Sequence, residues 1–234
     1  MSSQPVAPVS LVSGANRGIG AEVSRQLAAL GHHVLVGSRV VHNGEAIAGE
    51  IRSHGGAATV LELDVTSESQ VTEAEKFVAA TFGRLDVLIN NAAIMYDDWQ
   101  TATAADFGDV RTALDTNLFG AWRMTQAFIP LLRRSEHPRI VNVSSGSGRL
   151  TDMGADIPAY RVSKVGLNSL TRMFAAELPG FVVNSVCPGW LATDMGGPGG
   201  GPIGPGAADI VAAALLDDDG PTGANLEGRA PTPW

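Results

Sequence analysis

Tyr160 and Lys164 are the side chains of this 234-residue sequence with the clearest potential for acid–base chemistry. Four residues apart, they would lie on one face of a helix. A free tyrosine has a pKa of about 10, and a neighbouring ammonium favours its phenolate, so we expect Lys164 to lower the pKa of Tyr160. Tyr160 could then donate a proton to a reacting oxygen. Ser145, after a strand-like run, could hydrogen-bond that oxygen as charge develops on it.

A second group of residues could bind an anion. Gly14, Gly18 and Gly20 follow the first apolar run and precede a segment with helical periodicity. A strand, a glycine turn and a helix N-terminus bind phosphates because the free N–H groups and the helix dipole favour negative charge. Small residues also let a pyrophosphate approach the backbone. From the glycines alone, a tight turn without a ligand is an equal alternative.

Seven motifs in order over residues 9–195 resemble those of the short-chain dehydrogenase/reductase family, and its carbonyl-reductase-like members in particular. They are Gly14-x-x-x-Gly18-x-Gly20, Asp64-Val65, Asn90-Asn91-Ala92-Ala93, Asn117, Ser145, Tyr160-x-x-x-Lys164, and Cys187-Pro188-Gly189-Trp190 with Thr193-Asp194-Met195. The resemblance implies a catalytic tetrad of Asn117, Ser145, Tyr160 and Lys164. Asn117 would hold a water that resupplies the proton, and Lys164 would also bind the nicotinamide ribose. A structural role for Asn117, bonded to a strand backbone, remains open.

The same resemblance implies a cofactor site of many contacts along the chain. Those expected to contact the dinucleotide are Gly14, Asn16, Arg17, Gly18, Ile19, Gly20, Ser38, Arg39, Asp64, Val65, Asn91, Ala92, Tyr160, Lys164, Pro188, Gly189 and Thr193.

The end of the second strand indicates which dinucleotide binds. An acid there would accept the ribose hydroxyls and repel a 2′-phosphate, whereas an arginine accommodates that phosphate. This sequence has Ser38 and Arg39 at that position and no acid before Glu45, and Arg17 lies in the glycine turn. We therefore expect NADP(H) in preference to NAD(H). The alternative is that Arg39 is only a solvated surface charge.

Apolar residues near the tetrad are candidates for the substrate pocket. Leu150, Met153 and Ile157 lie between Ser145 and Tyr160, and the other candidates are Ile94, Tyr96, Trp190 and Met195. Apolar side chains with few convergent charges favour a hydrophobic ketone or aldehyde over a phosphorylated or acidic one. Simple core packing of Trp190 and Met195 is the alternative.

The elements that must position these residues alternate along the chain. Short β-rich runs occur at 9–13, 33–37, 59–63, 85–89, 139–143 and 182–186, and helical periodicity at 19–30, 44–52, 68–81, 107–134 and 159–178. Such alternation predicts a parallel sheet with helices on both faces. We expect one Rossmann-type, doubly wound α/β domain over 1–234, with about seven strands and an N-terminal lead over 1–8.

Gly and Pro fill every position of 196–206 except Ile203. Because Gly costs about 1 and Pro about 3 kcal/mol relative to Ala in a helix, we expect an irregular, mobile loop beside the substrate site. A last helix is predicted over 207–216 and a short edge strand over 224–227.

Composition excludes several classes of protein. The net charge is −8, from 16 basic and 24 acidic residues without a cationic stripe, which argues against nucleic-acid and membrane partners. One cysteine, Cys187, allows no internal disulfide, and the five histidines lack metal-ligand spacing, so no metal site is expected. The N-terminus shows no signal-peptide pattern and no apolar run is long enough to span a bilayer, which favours a cytoplasmic location.

The leading hypothesis is a reversible NADPH-dependent reduction of an apolar ketone or aldehyde, with Tyr160 as proton donor. Two alternatives remain: a catalytically silent NADP-binding regulator on the same fold, and an NAD-dependent alcohol dehydrogenase. Monomeric members of the family carry a long insertion before the catalytic tyrosine, which this sequence lacks. The resemblance therefore implies a homodimer or homotetramer formed through the helices near 107–134 and 159–178.

Overall fold

An eight-stranded sheet forms the centre of the protein in the computed structural model. The structure describes residues 7–234. Residues 1–6 of the predicted N-terminal lead lie outside the described residues. The strand order is β3-β2-β1-β4-β5-β6-β7-β8, and β8 is antiparallel to β7 while all other pairs are parallel. The strands are β1 (Val9–Val12), β2 (His33–Ser38), β3 (Ala57–Glu62), β4 (Val87–Asn90), β5 (Arg139–Val143), β6 (Val182–Cys187), β7 (Asn225–Glu227) and β8 (Ala230–Thr232).

Helices cover both faces of this sheet. They are α1 (Gly18–Ala29), α2 (Val41–Ser53), α3 (Glu68–Thr81), α4 (Phe107–Leu114), α5 (Ala121–Leu132), α6 (Pro158–Glu177) and α7 (Ile203–Ala214). Within residues 7–234, no helix is both long enough and apolar enough to cross a membrane. The predicted Rossmann-type, doubly wound α/β fold is confirmed. The sheet has eight strands because the chain turns back at its end to form β8, which its short sequence with Pro231 did not predict.

Two apolar cores lie on the two faces of the sheet, because successive residues of a strand point to opposite sides. In β1, Leu11 packs into one core and Val12 into the other, and both are fully buried. Residues of α3, α5 and α6 complete the first core, and residues of α1, α2 and α7 complete the second. Each fully buried Leu or Val contributes roughly 1.5–3 kcal/mol, so these two layers hold the strand ends in fixed positions.

The helical segment predicted over 107–134 is not one regular helix. A π-helical turn, Asp115–Gly120, separates α4 from α5. Gly120 lies close to Val65, where an added Cβ would approach the Val65 Cγ2 to 2.6 Å. Such wide turns occur often at functional sites, and this one contains Asn117.

The Gly/Pro-rich segment differs in part from the prediction. Residues 196–202 are irregular, as expected, but α7 begins at Ile203 and not at 207, and it ends at Ala214. Pro205 is tolerated because it lies in the first helical turn, where backbone N–H groups have no intrahelical partner. The predicted edge strand is β7, but β8 pairs with its outer side. The mobility of the irregular part stays a prediction.

Candidate active site

A cavity of about 770 Å³ opens at the carboxyl ends of the central strands. This is where ligands bind in open parallel sheets, beside the strand at which the order reverses. The glycine turn after β1 lines one part of the cavity, and Ser145, Tyr160 and Lys164 line another. All the residues predicted to contact the dinucleotide line it, with the single exception of Ser38.

The glycine turn after β1 is closed tightly against the segment that follows β4. Gly14 has φ +64°, and a Cβ there would lie 2.9 Å from the Cα of Ala92. A Cβ on Gly20 would lie 2.5 Å from both the carbonyl oxygen of Gly14 and the Nδ2 of Asn91. The Asn91 amide donates to the carbonyl oxygens of Ser13 (2.9 Å) and Gly14 (3.1 Å). Side chains at these glycines would therefore displace the backbone that faces the cavity.

The residues predicted to select the cofactor differ in their surroundings. Arg39 is exposed, lines the cavity, and has no hydrogen-bond or ion-pair partner among residues 7–234. Arg17 pairs with Asp194, with 2.6 Å between Nη1 and Oδ2. Ser38 is buried, and its hydroxyl donates to the carbonyl oxygen of Val40 at 2.7 Å, so it does not line the cavity as predicted. Arg39 is thus the available cation at the end of β2.

Lys164 follows Tyr160 by about one turn of α6, and its Nζ lies 5.5 Å from the centre of the tyrosine ring. Its ammonium donates to the carbonyl oxygen of Val143, at the end of β5, at 2.7 Å. Both side chains are buried. Burial lowers the pKa of Lys164 to about 8, because the charged form loses its hydration. The predicted helical pairing of the two residues is confirmed.

The predicted lowering of the Tyr160 pKa is wrong for the chain by itself. Burial raises the pKa of Tyr160 to about 12, and the neighbouring Ser145 side chain offsets only part of this effect. The cost of moving a phenolate out of water exceeds the stabilisation that its neighbours give. Near neutral pH the phenol is therefore protonated and able to donate. The Ser145 hydroxyl oxygen accepts from the Ser147 N–H at 3.1 Å, which fixes its position at the start of a short 3-10 turn.

Asn117 is buried and makes its side-chain hydrogen bonds within the chain. Its Nδ2 donates to the Ile94 carbonyl oxygen (2.9 Å) and to the Ser163 hydroxyl (2.9 Å), and its Oδ1 accepts from the Ile94 N–H (2.8 Å). Asn117 does not line the cavity, and it holds the loop after β4 against the helix that carries Tyr160. Its predicted water-holding role stays a prediction.

Asp97 is a residue of this region that the sequence did not single out. It is 1% exposed, and its Oδ2 accepts from the backbone N–H groups of Ala159 (2.7 Å) and Tyr160 (3.3 Å). Its carboxylate therefore caps the first turn of α6 from a different loop. The Oδ1 is buried and has no hydrogen-bond partner among the described residues. No local pattern could have found this cap, since acceptor and donor are 62 residues apart.

The substrate side of the cavity agrees only in part with the prediction. Ile94, Ile157, Trp190 and Met195 line it. Tyr96, Leu150 and Met153 do not line it, and all three are exposed, so the structure does not bring them together with the other predicted pocket residues. A β-bridge between Thr101 and Asp156 ties the two loops that carry these residues to each other, and their apolar side chains face outward.

Glu227 also lines the cavity, although the sequence prediction omitted it. It is the last residue of β7, which pairs in parallel with β6, so it lies beside Cys187 at the same edge of the sheet. Cys187 is buried at the end of β6, and it also lines the cavity. The sequence signal for Glu227 was its place at the end of a strand, where parallel sheets carry functional residues.

Comparisons with known proteins agree with this geometry. A family model described as short chain dehydrogenase matches residues 8–199. The chain is 33% identical over 247 aligned positions to (+)-neomenthol dehydrogenase of Arabidopsis thaliana, covering 80% of this chain and 83% of that protein. It is 30% identical over 286 positions to salutaridine reductase of Papaver bracteatum, covering 92% of each.

Among solved structures, NADPH-bound carbonyl reductase from chicken fatty liver superposes with a TM-score of 0.88 at 25% identity, covering 97% of this chain and 99% of that one. Sequence and structure thus agree over nearly the whole length of the chain. The chain therefore belongs to the short-chain dehydrogenase family.

Proposed function

We propose that this chain catalyses the reversible, NADPH-dependent reduction of an apolar ketone or aldehyde, with Tyr160 as the proton donor. The observation that carries the proposal is that one cavity contains both the glycine turn and the group of Ser145, Tyr160 and Lys164. A protein that only sensed the dinucleotide would need the first and not the second. The relatives include proteins named as reductases and dehydrogenases.

The residues of the cavity are suited to a phosphorylated dinucleotide. Close approach of a pyrophosphate requires that Gly14 and Gly20 lack side chains, and both are packed too tightly to accept one. Arg39 supplies a cation at the end of β2 for a 2′-phosphate. The chicken carbonyl reductase structure contains NADPH. When bound, the nicotinamide supplies the hydride, and Lys164, Pro188, Gly189 and Thr193 would hold it.

Each of three side chains, Tyr160, Ser145 and Lys164, has a different role in reduction of the substrate carbonyl. The Ser145 hydroxyl donates a hydrogen bond to the carbonyl oxygen and orients it. Tyr160 is protonated near neutral pH because its pKa is raised to about 12, and it passes its proton from Oη to that oxygen. The Lys164 ammonium, fixed by Val143, compensates the negative charge left on the phenolate.

The test is consumption of NADPH with a panel of aromatic ketones and aldehydes, comparing wild type with Tyr160→Phe. We expect kcat to fall by roughly 10²–10⁴-fold, since general acid catalysis by the phenol is lost. Affinity for NADPH, measured by fluorescence titration, should change little. Tyr96→Phe is the matched control, because Tyr96 is an exposed tyrosine outside the cavity. Equal turnover by the Tyr160 variant would overturn the mechanism.

We also propose that the protein is a homodimer or homotetramer formed through the helices near 107–134 and 159–178. Phe107 on α4 and Val162 and Met173 on α6 are large apolar side chains that stay exposed in the single chain. Burial of such residues against a second copy would be favourable. Light scattering checks this assembly, and a monomeric mass would overturn it. The cytoplasmic location stays a prediction.

A further inference from the structure

The carboxylate of Glu227 lines the same cavity as the apolar side chains Ile94, Ile157 and Trp190, which we place on its substrate side. It lies at the end of β7, and its side chain is about two-fifths exposed. A charged group in an apolar pocket has a desolvation cost, which is recovered only through a partner. In such a pocket, a small number of polar groups generally fixes the orientation of the ligand.

Arg149 is the ion-pair partner that offsets the desolvation cost of the Glu227 carboxylate. Its Nη2 donates to the Glu227 Oε2, and its side chain is only 19% exposed and does not line the cavity. The guanidinium therefore contacts the carboxylate from outside the cavity lining, and it compensates part of that charge, since it also pairs with Asp152 at 3.4 Å. The Glu227 Oε1 has a weak contact, the thiol of Cys187 at 3.8 Å. An oxygen with only a thiol donor keeps spare capacity to accept a hydrogen bond.

Glu227 also lies close to the reacting centre. The Cys187 thiol that contacts it lines the same cavity as Tyr160 and Lys164. A Cβ built on Gly146, the residue after Ser145, would be 3.9 Å from the same sulfur. The carboxylate and the residue that follows Ser145 thus both lie beside Cys187, and all line one cavity, so one small substrate could contact Glu227 and Ser145 together.

We propose that Glu227 accepts a hydrogen bond from a hydroxyl group of the substrate, so that the preferred substrates are hydroxy ketones or hydroxy aldehydes with an apolar remainder. This inference rests on the proposed function. A neutral donor is favoured over an ammonium because Glu227 already has a cationic partner in Arg149, which contacts it more closely than it contacts Asp152. A substrate carboxylate is disfavoured, since it would place two like charges in contact.

The experiment compares ketones in which a hydroxyl replaces a methyl group of similar size. The pairs are 2-hydroxyacetophenone with propiophenone, and 3-hydroxypropiophenone with butyrophenone. The measured quantity is the ratio of kcat/KM for the hydroxy ketone to that for its methyl partner, so that other effects on the variant cancel. In Glu227→Met, which keeps length and removes the acceptor, we expect this ratio to fall about tenfold or more in at least one pair.

Three controls keep the result interpretable. Glu136→Met, at an exposed glutamate outside the cavity, should leave the ratio unchanged. The double variant Arg149→Met/Glu227→Met removes a partly buried guanidinium that the single variant leaves with Asp152 as its ion-pair partner, and it should show the same fall if the single variant folds poorly. A wild type that prefers 3-(dimethylamino)propiophenone to 3-hydroxypropiophenone would overturn the assignment of a neutral donor.

Failure of this inference differs from failure of the proposed function. A wild type that reduces the methyl ketones, together with an unchanged ratio in both Glu227 variants, would overturn the hydroxyl recognition and leave the reductase activity intact. A wild type that reduces none of the ketones or aldehydes with NADPH would overturn the proposed function itself.

Discussion

Replacing Lys164 by methionine should stabilise the folded chain near neutral pH while removing its activity. Lys164 is 2% exposed, and its ammonium has one hydrogen bond, to the carbonyl oxygen of Val143. Burial lowers its pKa from 10.5 to about 8. A methionine has a similar length and no charge, so it would remove the cost of keeping an ammonium away from water.

The size of the effect follows from the pKa. A tenfold change in a protonation equilibrium is about 1.4 kcal/mol, so a pKa of about 8 in place of 10.5 corresponds to a cost of about 3 kcal/mol when the lysine is charged. Loss of the hydrogen bond to Val143 leaves that carbonyl oxygen unsatisfied. This destabilises the variant by about 1–2 kcal/mol and offsets part of the gain. The net expected gain for Lys164→Met is about 1–2 kcal/mol near pH 7.

The gain in stability from Lys164→Met should decrease as the pH rises. Between pH 8 and 10.5 the unfolded chain binds more protons at Lys164 than the folded chain does, so wild-type stability rises with pH in this window. The cost of the buried ammonium is therefore fully present below pH 8 and disappears by pH 10.5. The raised pKa of Tyr160 acts at still higher pH and is common to both proteins, so it largely cancels in their difference.

Urea unfolding of both proteins at about pH 7 and about pH 10 measures the difference. The methionine variant should be the more stable at the lower pH, and its advantage should shrink or reverse at the higher pH. Lys76→Met is the control, because Lys76 is exposed and its pair with Glu73 should contribute less than about 1 kcal/mol. A variant that is less stable by the same amount at both values would refute the argument that burial, and not packing, dominates at Lys164.

Three further changes test other parts of the site. Asp97→Ala removes the cap of α6 and should lower the free energy of unfolding, measured by thermal unfolding, by about 1–2 kcal/mol. It should also lower kcat more than it lowers NADPH affinity. Asp98→Ala, at an exposed position, is the control and should do neither. Arg39→Ala should raise KM for NADPH about tenfold with little change for NADH, and an equal effect on both would argue against a phosphate contact. Gly20→Ala should abolish most NADPH binding in calorimetry, because its Cβ would lie 2.5 Å from the Gly14 carbonyl oxygen; unchanged affinity would contradict the proposed pyrophosphate site.

The strands and the glycine turn could be predicted because they depend on local patterns. The periods that mark β1 to β6 place each strand within about two residues of its observed bounds. The order of the motifs likewise predicted which residues meet, since the carboxyl ends of parallel strands share one edge of the sheet. Gly14, Ser145 and Lys164 accordingly line one cavity.

The sequence could not predict features that depend on contacts between distant segments. Asp97 acts on α6 across 62 residues, and Glu227 meets Arg149 only because β7 lies beside β6. Leu150 and Met153 were placed in the pocket because they precede Tyr160 in the chain. Apolar character identifies candidates for burial, but the path of the loop decides which way they face, and here it leaves both exposed.

The pKa of Tyr160 shows how an argument from one neighbour fails and what it leaves intact. An ammonium four residues away was expected to favour the phenolate, but the same burial that brings the two groups together raises the phenol pKa to about 12 and lowers that of the ammonium to about 8. Burial disfavours both charged forms, so the chain alone holds a protonated tyrosine beside a lysine that is still mostly charged near neutral pH. For the proposed mechanism this is the charge state that reduction requires. Oxidation would instead begin from a phenolate, which only further stabilisation of that charge could supply.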